Sequence, residues 1–254
     1  MDALTVTVLG TCGAWPEAGR AASGFLVETA GFRLVLDLGY ATLPRLLAHC
    51  PARDVDAVVI THEHPDHCAD LSALCRALLF GEDRDGGGRG RRRVPLYCPP
   101  GVLDRVQAME PTERLDDVFA PCPLPAGGPA AHRVGPFRLE TWPLPHHVPH
   151  AGVRLAAAGR VLAYTGDAGP APALGDLAAG ADLLIAGATL LGKDEEPYLL
   201  SAAQAGHWAT RAGARRLLLT HFWPGAARSR AAAEASATYG GETITANESM
   251  TLGL

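Results

Sequence analysis

Thr61–His67, THEHPDH, follows the apolar run DAVVI at 56–60 and places three imidazoles and the Asp66 carboxylate within six residues. The chain has ten histidines in all, so this density is a chemical signal. Any one of these residues alone would read as a polar side chain on a loop. Together they read as a ligand set, because imidazole nitrogen and carboxylate oxygen are the donors that zinc and its borderline neighbours prefer. A loop leaving a strand can aim His62 and His64 to one side, while Pro65 turns the chain so that Asp66 and His67 face a second position.

On either side of this stretch, short β-branched or alternating segments recur: LTVTVLG from Leu4, GFRLVLDLG from Gly31, FRLETWPL from Phe137, RVLAYTGD from Arg160, DLLIAG from Asp182 and RRLLLTH from Arg215. These and DAVVI predict strands. Helical patterns follow Cys68, Pro172, Leu200 and Arg228, so the chain is α/β. Three of the strands end in further donors: His146, Asp167 and His221. Sites on α/β folds gather where the strand ends and loops converge. Four strand ends then supply seven donors. His62, His64 and His146 would hold one ion, Asp66, His67 and His221 a second, and Asp167 would bridge them. GFRLVLDLG followed by DAVVITH also echoes GRVLAYTGD followed by RRLLLTH, as two repeated halves packed sheet to sheet would leave behind.

The order H-x-H-x-D-H, then His146, Asp167 and His221, resembles the metallo-β-lactamase superfamily. LDLG at 36–39, YTGD at 164–167 and LLLTH at 217–221 match its further motifs in sequence, and the likeness covers nearly the whole chain. LGTCGAWP at 9–16 and the run His146-x-V-P-x-x-G are most similar to the ribonuclease Z-like and cyclic-nucleotide phosphodiesterase-like branch. The resemblance implies a four-layer αββα sandwich, a single domain over 1–254 with halves of about 1–134 and 135–254. It also implies that Asp37 orients a ligand histidine.

Two zinc ions, with manganese or iron as alternatives, would hold a hydroxide between them at roughly 3.5–4 Å separation and polarise a carbonyl or phosphoryl oxygen. Asp66 is then both ligand and catalytic residue. Three departures from the ribonuclease Z pattern bear on the substrate. Only 20 residues separate His146 from Asp167, too few for the tRNA-gripping arm that such nucleases carry there. Leu199 stands where the family usually has a histidine, and leucine cannot donate a proton. His147 and His150 are the replacements suggested by position. Trp15 and Trp223 stand beside the motifs and suit the wall of a small organic substrate's pocket, with Trp142 and Phe222 nearby. The reading is a phosphodiesterase-like hydrolase. An ester, thioester or lactone hydrolase, as in secondary-metabolite tailoring, is the alternative, and an inactive metal- and ligand-binding protein a third.

A formal net charge of −5 provides no basic field for an obligatory nucleic-acid partner. No apolar stretch is long enough to span a membrane, so a cytoplasmic enzyme is expected. A homodimer is a family expectation without a specified interface. The six cysteines form no C-x-x-C pair and read as reduced thiols, with Cys68 alone beside a ligand. His49, His132 and His207 read as ordinary histidines. The Gly- and Arg-rich stretch 81–95 reads as a solvated connection, with a basic lid over an anionic substrate as its functional alternative.

Overall fold

The computed structural model describes residues 3–81, 93–110, 112–192 and 196–254. The Gly/Arg stretch therefore lies largely outside the described residues.

Among the described residues, fourteen strands form two seven-stranded sheets. In the first, β1 (Thr5–Gly10), β2 (Gly24–Thr29) and β3 (Phe32–Leu38) make an antiparallel meander. It continues in parallel through β4 (Ala57–Val59), β5 (Val94–Cys98) and β6 (Phe119–Pro123). The second repeats this plan. There β7 (Ala130–Val134), β8 (Phe137–Pro143), β9 (Ala151–Ala157) and β10 (Arg160–Tyr164) are antiparallel, and β11 (Leu183–Gly187), β12 (Arg216–Thr220) and β13 (Glu242–Thr245) run parallel to β10. The last strand, β14 (Thr251–Gly253), returns to pair with β1. Seven of these strands (β2, β5, β6, β7, β9, β13 and β14) are not among the segments predicted from the sequence.

Each sheet is covered on both faces, which is why β3 and β11 are apolar runs without alternation. Phe25, Leu36, Phe137, Val153 and Ile185 belong to the core between the sheets. Outside the first sheet pack α1 (Leu43–Leu47), α3 (Asp70–Phe80) and α4 (Val102–Gln107), α3 burying Leu71, Leu74, Cys75 and Leu79 at helical spacing. The short α2 (Pro65–Cys68) precedes α3. Outside the second lie α5 (Ala173–Ala178), α6 (Ala202–Ala212) and α7 (Arg228–Ser236). The result is αββα.

Helix α6 shows how sequence sets these boundaries. Ser201 and Gln204 close a reciprocal capping box at its start, and Gly213 ends it at φ 64°. Its buried face is Ala202, Ala205, Gly206 and Ala209, small residues that let α7 approach: a Cβ on Gly206 would strike the Ala235 carbonyl.

The two sheets meet beside the ligand loops. Phe25 of β2 packs edge-on against Tyr164 of β10 at 5.2 Å, and the Tyr164 hydroxyl donates to Asp37 Oδ2 of β3 at 2.9 Å. Since β3, β4, β8, β10 and β12 share one direction within their sheets, their C-terminal ends open onto a common edge. The sequence echo maps imperfectly onto this plan. His62 follows β4, the neighbour of β3, whereas β11 intervenes between β10 and the β12 strand that precedes His221.

Candidate metal centre

His62 and His64 lie on the loop after β4, and Pro65 opens α2, whose first turn carries Asp66 and His67. His146 lies between β8 and β9, Asp167 just past β10, and His221 just past β12. The structure brings all seven together as two donor sets that share Asp167: His62, His64, His146 and Asp167, and Asp66, His67, Asp167 and His221.

In the first set, His64 Nδ1 stands 3.0 Å from both His62 Nε2 and His146 Nε2, so His64 presents a different ring nitrogen from its partners. In the second, Asp167 Oδ1 is 3.1 Å from His67 Nε2 and its Oδ2 is 2.9 Å from His221 Nε2. Asp66 Oδ2 is 3.3 Å from His221 Nε2 and 3.6 Å from His67 Nε2. His67 Nε2 and Asp167 Oδ1 are buried without a hydrogen-bond partner, although buried polar atoms are normally satisfied. Two such atoms, facing each other at 3.1 Å within the second set, are what a cation would satisfy.

Behind the donors stands a layer that fixes the ring orientations. His67 Nδ1 lies 2.7 Å from Asp37 Oδ2, and Asp37 also accepts from the Thr61 backbone N–H at 2.7 Å. His62 Nδ1 contacts Thr61 Oγ1 at 3.0 Å, His221 Nδ1 contacts Thr189 Oγ1 at 2.8 Å, and His146 Nδ1 faces the Tyr198 carbonyl at 3.0 Å. Such partners hold the far nitrogen so that the near one points at the ligand position. Asp37 and His221 sit at φ 58° and 57°, a left-handed conformation that non-glycine residues seldom adopt. Strain of this kind concentrates at functional sites.

Protonation follows position. Burial opposes charge on His221, yet Asp167 and Asp66 outweigh it and lift its pKa to about 9; His67 is likewise held well above its ordinary value by Asp167, Asp37 and Asp66. Burial alone would raise Asp66, but His67 and His221 bring it down to about 2. In the first set burial dominates: His62 is pushed well below its usual range and His146 to about 4.

The other nominated residues separate clearly. His147 is exposed, its ring 4.5 Å from that of Tyr198 and 5.4 Å from that of His146. His150, the other suggested proton donor, is 5% exposed and packed against His62 and His146, and burial lowers its pKa to about 3. Trp15 and Trp223 are 52% and 45% exposed, whereas Phe222 is buried under Arg228 and Trp142 packs on the outer core. Cys68 turns away from the donors: its thiol faces the Glu63 carbonyl at 3.4 Å, and burial pushes it up to about 12. His49 and His207 are exposed, and the His132 ring lies 5.3 Å from that of Tyr97. Leu199 is half-buried beside Tyr198.

Sequence reading gave no role to Thr61 or Tyr164, although both lie in quoted motifs, nor to Thr189 or the Tyr198 carbonyl. Their roles depend on contacts between segments far apart in the chain, and a threonine or a carbonyl carries no motif of its own.

The family profile described as "Beta-lactamase superfamily domain" matches residues 30–222. The chain belongs to the beta-lactamase superfamily. Within it, the chain is 30% identical over 223 residues to the probable metallo-hydrolase YhfI of Bacillus subtilis, covering 86% of this chain and 87% of that one. A ribonuclease Z of Mycobacterium bovis is 30% identical over 250 residues, 87% of this chain and 86% of the relative. The crystal structure of YhfI superimposes with a TM-score of 0.87 at 26% identity over the full length of both chains. A diphosphatase of the PhnP family shares the fold at a TM-score of 0.74 and 18% identity, over 98% of this chain and 97% of that one. The superfamily's metallo-hydrolase fold and its His/Asp cluster are thus both present.

Proposed function

We propose that this chain is a dinuclear, zinc-dependent hydrolase acting on a small phosphodiester-like substrate, with manganese or iron as substitute metals. The observation that carries the reading is the sharing of Asp167 between two donor sets, each completed by three further side chains. Histidine and carboxylate donors suit zinc, and they crowd at a cost that a metal offsets. When bound, two such ions would supply Lewis acidity and lower the pKa of water at the site.

The chain's own residues do the rest. His62, His64 and His146 hold one position and Asp66, His67 and His221 the other, with Asp167 between them. Asp37 keeps His67 turned, Asp66 serves the reaction as well as the ligand set, and Trp15 and Trp223 wall the substrate. His147, exposed beside His146, is the group placed to hand a proton to a departing oxygen. The relatives named ribonuclease Z and diphosphatase support a phosphoryl substrate. A β9–β10 hairpin turning at 158–159 fills the interval where an RNA-gripping arm would emerge, which supports a small molecule over tRNA.

Leu199 favours a second reading, an ester, thioester or lactone hydrolase, because a thiolate, phenolate or enolate leaves without protonation. Purified protein assayed with bis-p-nitrophenyl phosphate beside p-nitrophenyl acetate and an acyl thioester separates the two. Turnover of the phosphodiester supports the first; turnover confined to the acyl substrates replaces it with the second. A protein that binds two metals and hydrolyses none of these would be a binding protein. No helix among the described residues is long and apolar enough to cross a membrane, which accords with a cytoplasmic enzyme. A homodimer is the assembly we would look for.

A further inference from the structure

We infer that the backbone at Gly13–Ala14, on the loop after β1, is a positioning element for the second donor set. The inference rests on the metal reading above. Ala14 has φ 62°, and in that conformation its backbone N–H donates to Asp66 Oδ2 at 2.7 Å, the same oxygen that faces His221 and His67. Alanine pays about 1–2 kcal/mol to enter the left-handed region, so an alanine held there marks a constraint imposed by its surroundings. Its neighbour Gly13 lies flat against His221. A Cβ on Gly13 would fall 2.5–2.9 Å from Cε1, Nδ1 and Nε2 of that ring, closer than real contacts allow. The two residues therefore touch two donors of one set, one by a hydrogen bond and one by close packing.

The loop is itself held in place. Gly13 N–H donates to the Phe222 carbonyl and Phe222 N–H to the Thr11 carbonyl, each at 2.9 Å, locking the segment to the strand end that carries His221. Arg228 lies over the Phe222 ring at 4.6 Å and donates to Thr11 Oγ1 at 2.9 Å, and the Gly225 N–H reaches Glu17. No corresponding contact runs from this loop to His62, His64 or His146 among the described residues. The latch is thus specific to one of two donor sets, which separates it from a general stabilising loop.

Gly13→Ala pushes a methyl group into His221 and should weaken the second ion about 10- to 100-fold, the usual effect of disturbing a ligand's outer partner. Zinc content after dialysis should fall from two per chain toward one, with chelator competition showing the first ion unchanged. His207→Ala, exposed on α6 and outside both donor sets, should retain both ions at wild-type affinity. Thermal melting of the metal-free Gly13→Ala protein checks that it folds. The wild-type protein gives an independent reading: the Ala14 amide resonance should shift together with the His221 ring resonances as zinc is titrated in. Two ions held at wild-type affinity by Gly13→Ala, or an Ala14 amide that stays fixed while His221 moves, overturns the inference. A wild-type protein that takes up no zinc would instead overturn the metal reading beneath it.

Discussion

His67 Nδ1 and Asp37 Oδ2 stand 2.7 Å apart, both fully buried, and Asp37 reaches from the end of β3 across to a residue thirty positions later. One carboxylate here also receives the Thr61 N–H and, from the opposite sheet, the Tyr164 hydroxyl. It joins the ligand loop, the β-sandwich and the second donor set at a single point.

Asp37→Ala should therefore act twice. Releasing His67 should weaken the second ion about 10- to 100-fold, read by chelator competition. Leaving the Thr61 N–H and Tyr164 hydroxyl buried and unpaired should cost about 1–3 kcal/mol for each group, read by denaturant melting of the metal-free protein. Loss of metal without loss of stability would mean that Asp37 serves only the ligand.

In the metal-free protein the histidines of the two donor sets pull stability in opposite directions with pH. His146 and His150 fall from 6.5 to about 4 and about 3 on folding, and His62 falls well below 6.5. Below pH 6.5 the unfolded chain binds protons these rings refuse, so stability drops toward pH 3. Asp66, lowered from 3.8 to about 2, adds to that loss below pH 3.8. His221 rises from 6.5 to about 9 and His67 also rises well above 6.5, so their contribution is complete below pH 6.5 and lost as pH climbs through the raised values. Melting temperatures of the chelator-treated protein should peak near pH 6.5. A monotonic profile between pH 4 and 9 would contradict these assignments.

Metal uptake should release protons from one set only. At pH 7.5 His67 and His221 are protonated and must lose those protons to bind a cation, whereas His62 and His146 are already neutral. Zinc titration calorimetry in buffers of different ionisation enthalpy should show one ion binding with little proton release and another displacing about two protons, one from each ring. Equal release for both would remove the distinction between the sets.

The sequence made the donors legible because metal binding demands unusual residue types at fixed spacing, and His62, His64, Asp66 and His67 carry that demand within one heptapeptide. The strands carrying the remaining donors were legible as well, β10 and β12 through their density of Leu and Val and β8 through its alternation. Strands such as β9, AGVRLAA, and β6, FAPCP, were not, since small residues and prolines give no alternation. The burial of His150 was not legible: its place in PHHVPH puts it near the donors but does not say that it is 5% exposed and packed against His62 and His146.

Leu199 makes the leaving group the discriminating variable. If His147 is the proton donor, His147→Ala should lower kcat/KM about 10²-fold or more for alkoxide leaving groups and scarcely alter it for p-nitrophenolate. Leu199→His should raise the rate selectively for the poor leaving groups. A His147→Ala defect of equal size across the series would assign His147 to binding instead.

Asp66→Ala and His64→Ala should each lose activity together with bound metal, while His207→Ala, on the exposed face of α6, should retain both. Elemental analysis beside turnover checks all three, and full zinc content in Asp66→Ala would count against its place in the second set.

The most direct trial is anomalous scattering at the zinc edge from crystals grown with zinc. Two peaks should appear, one within coordination distance of His62, His64 and His146, the other of Asp66, His67 and His221, with Asp167 between them. A single peak that leaves one set empty, or peaks remote from both, would contradict the shared dinuclear centre.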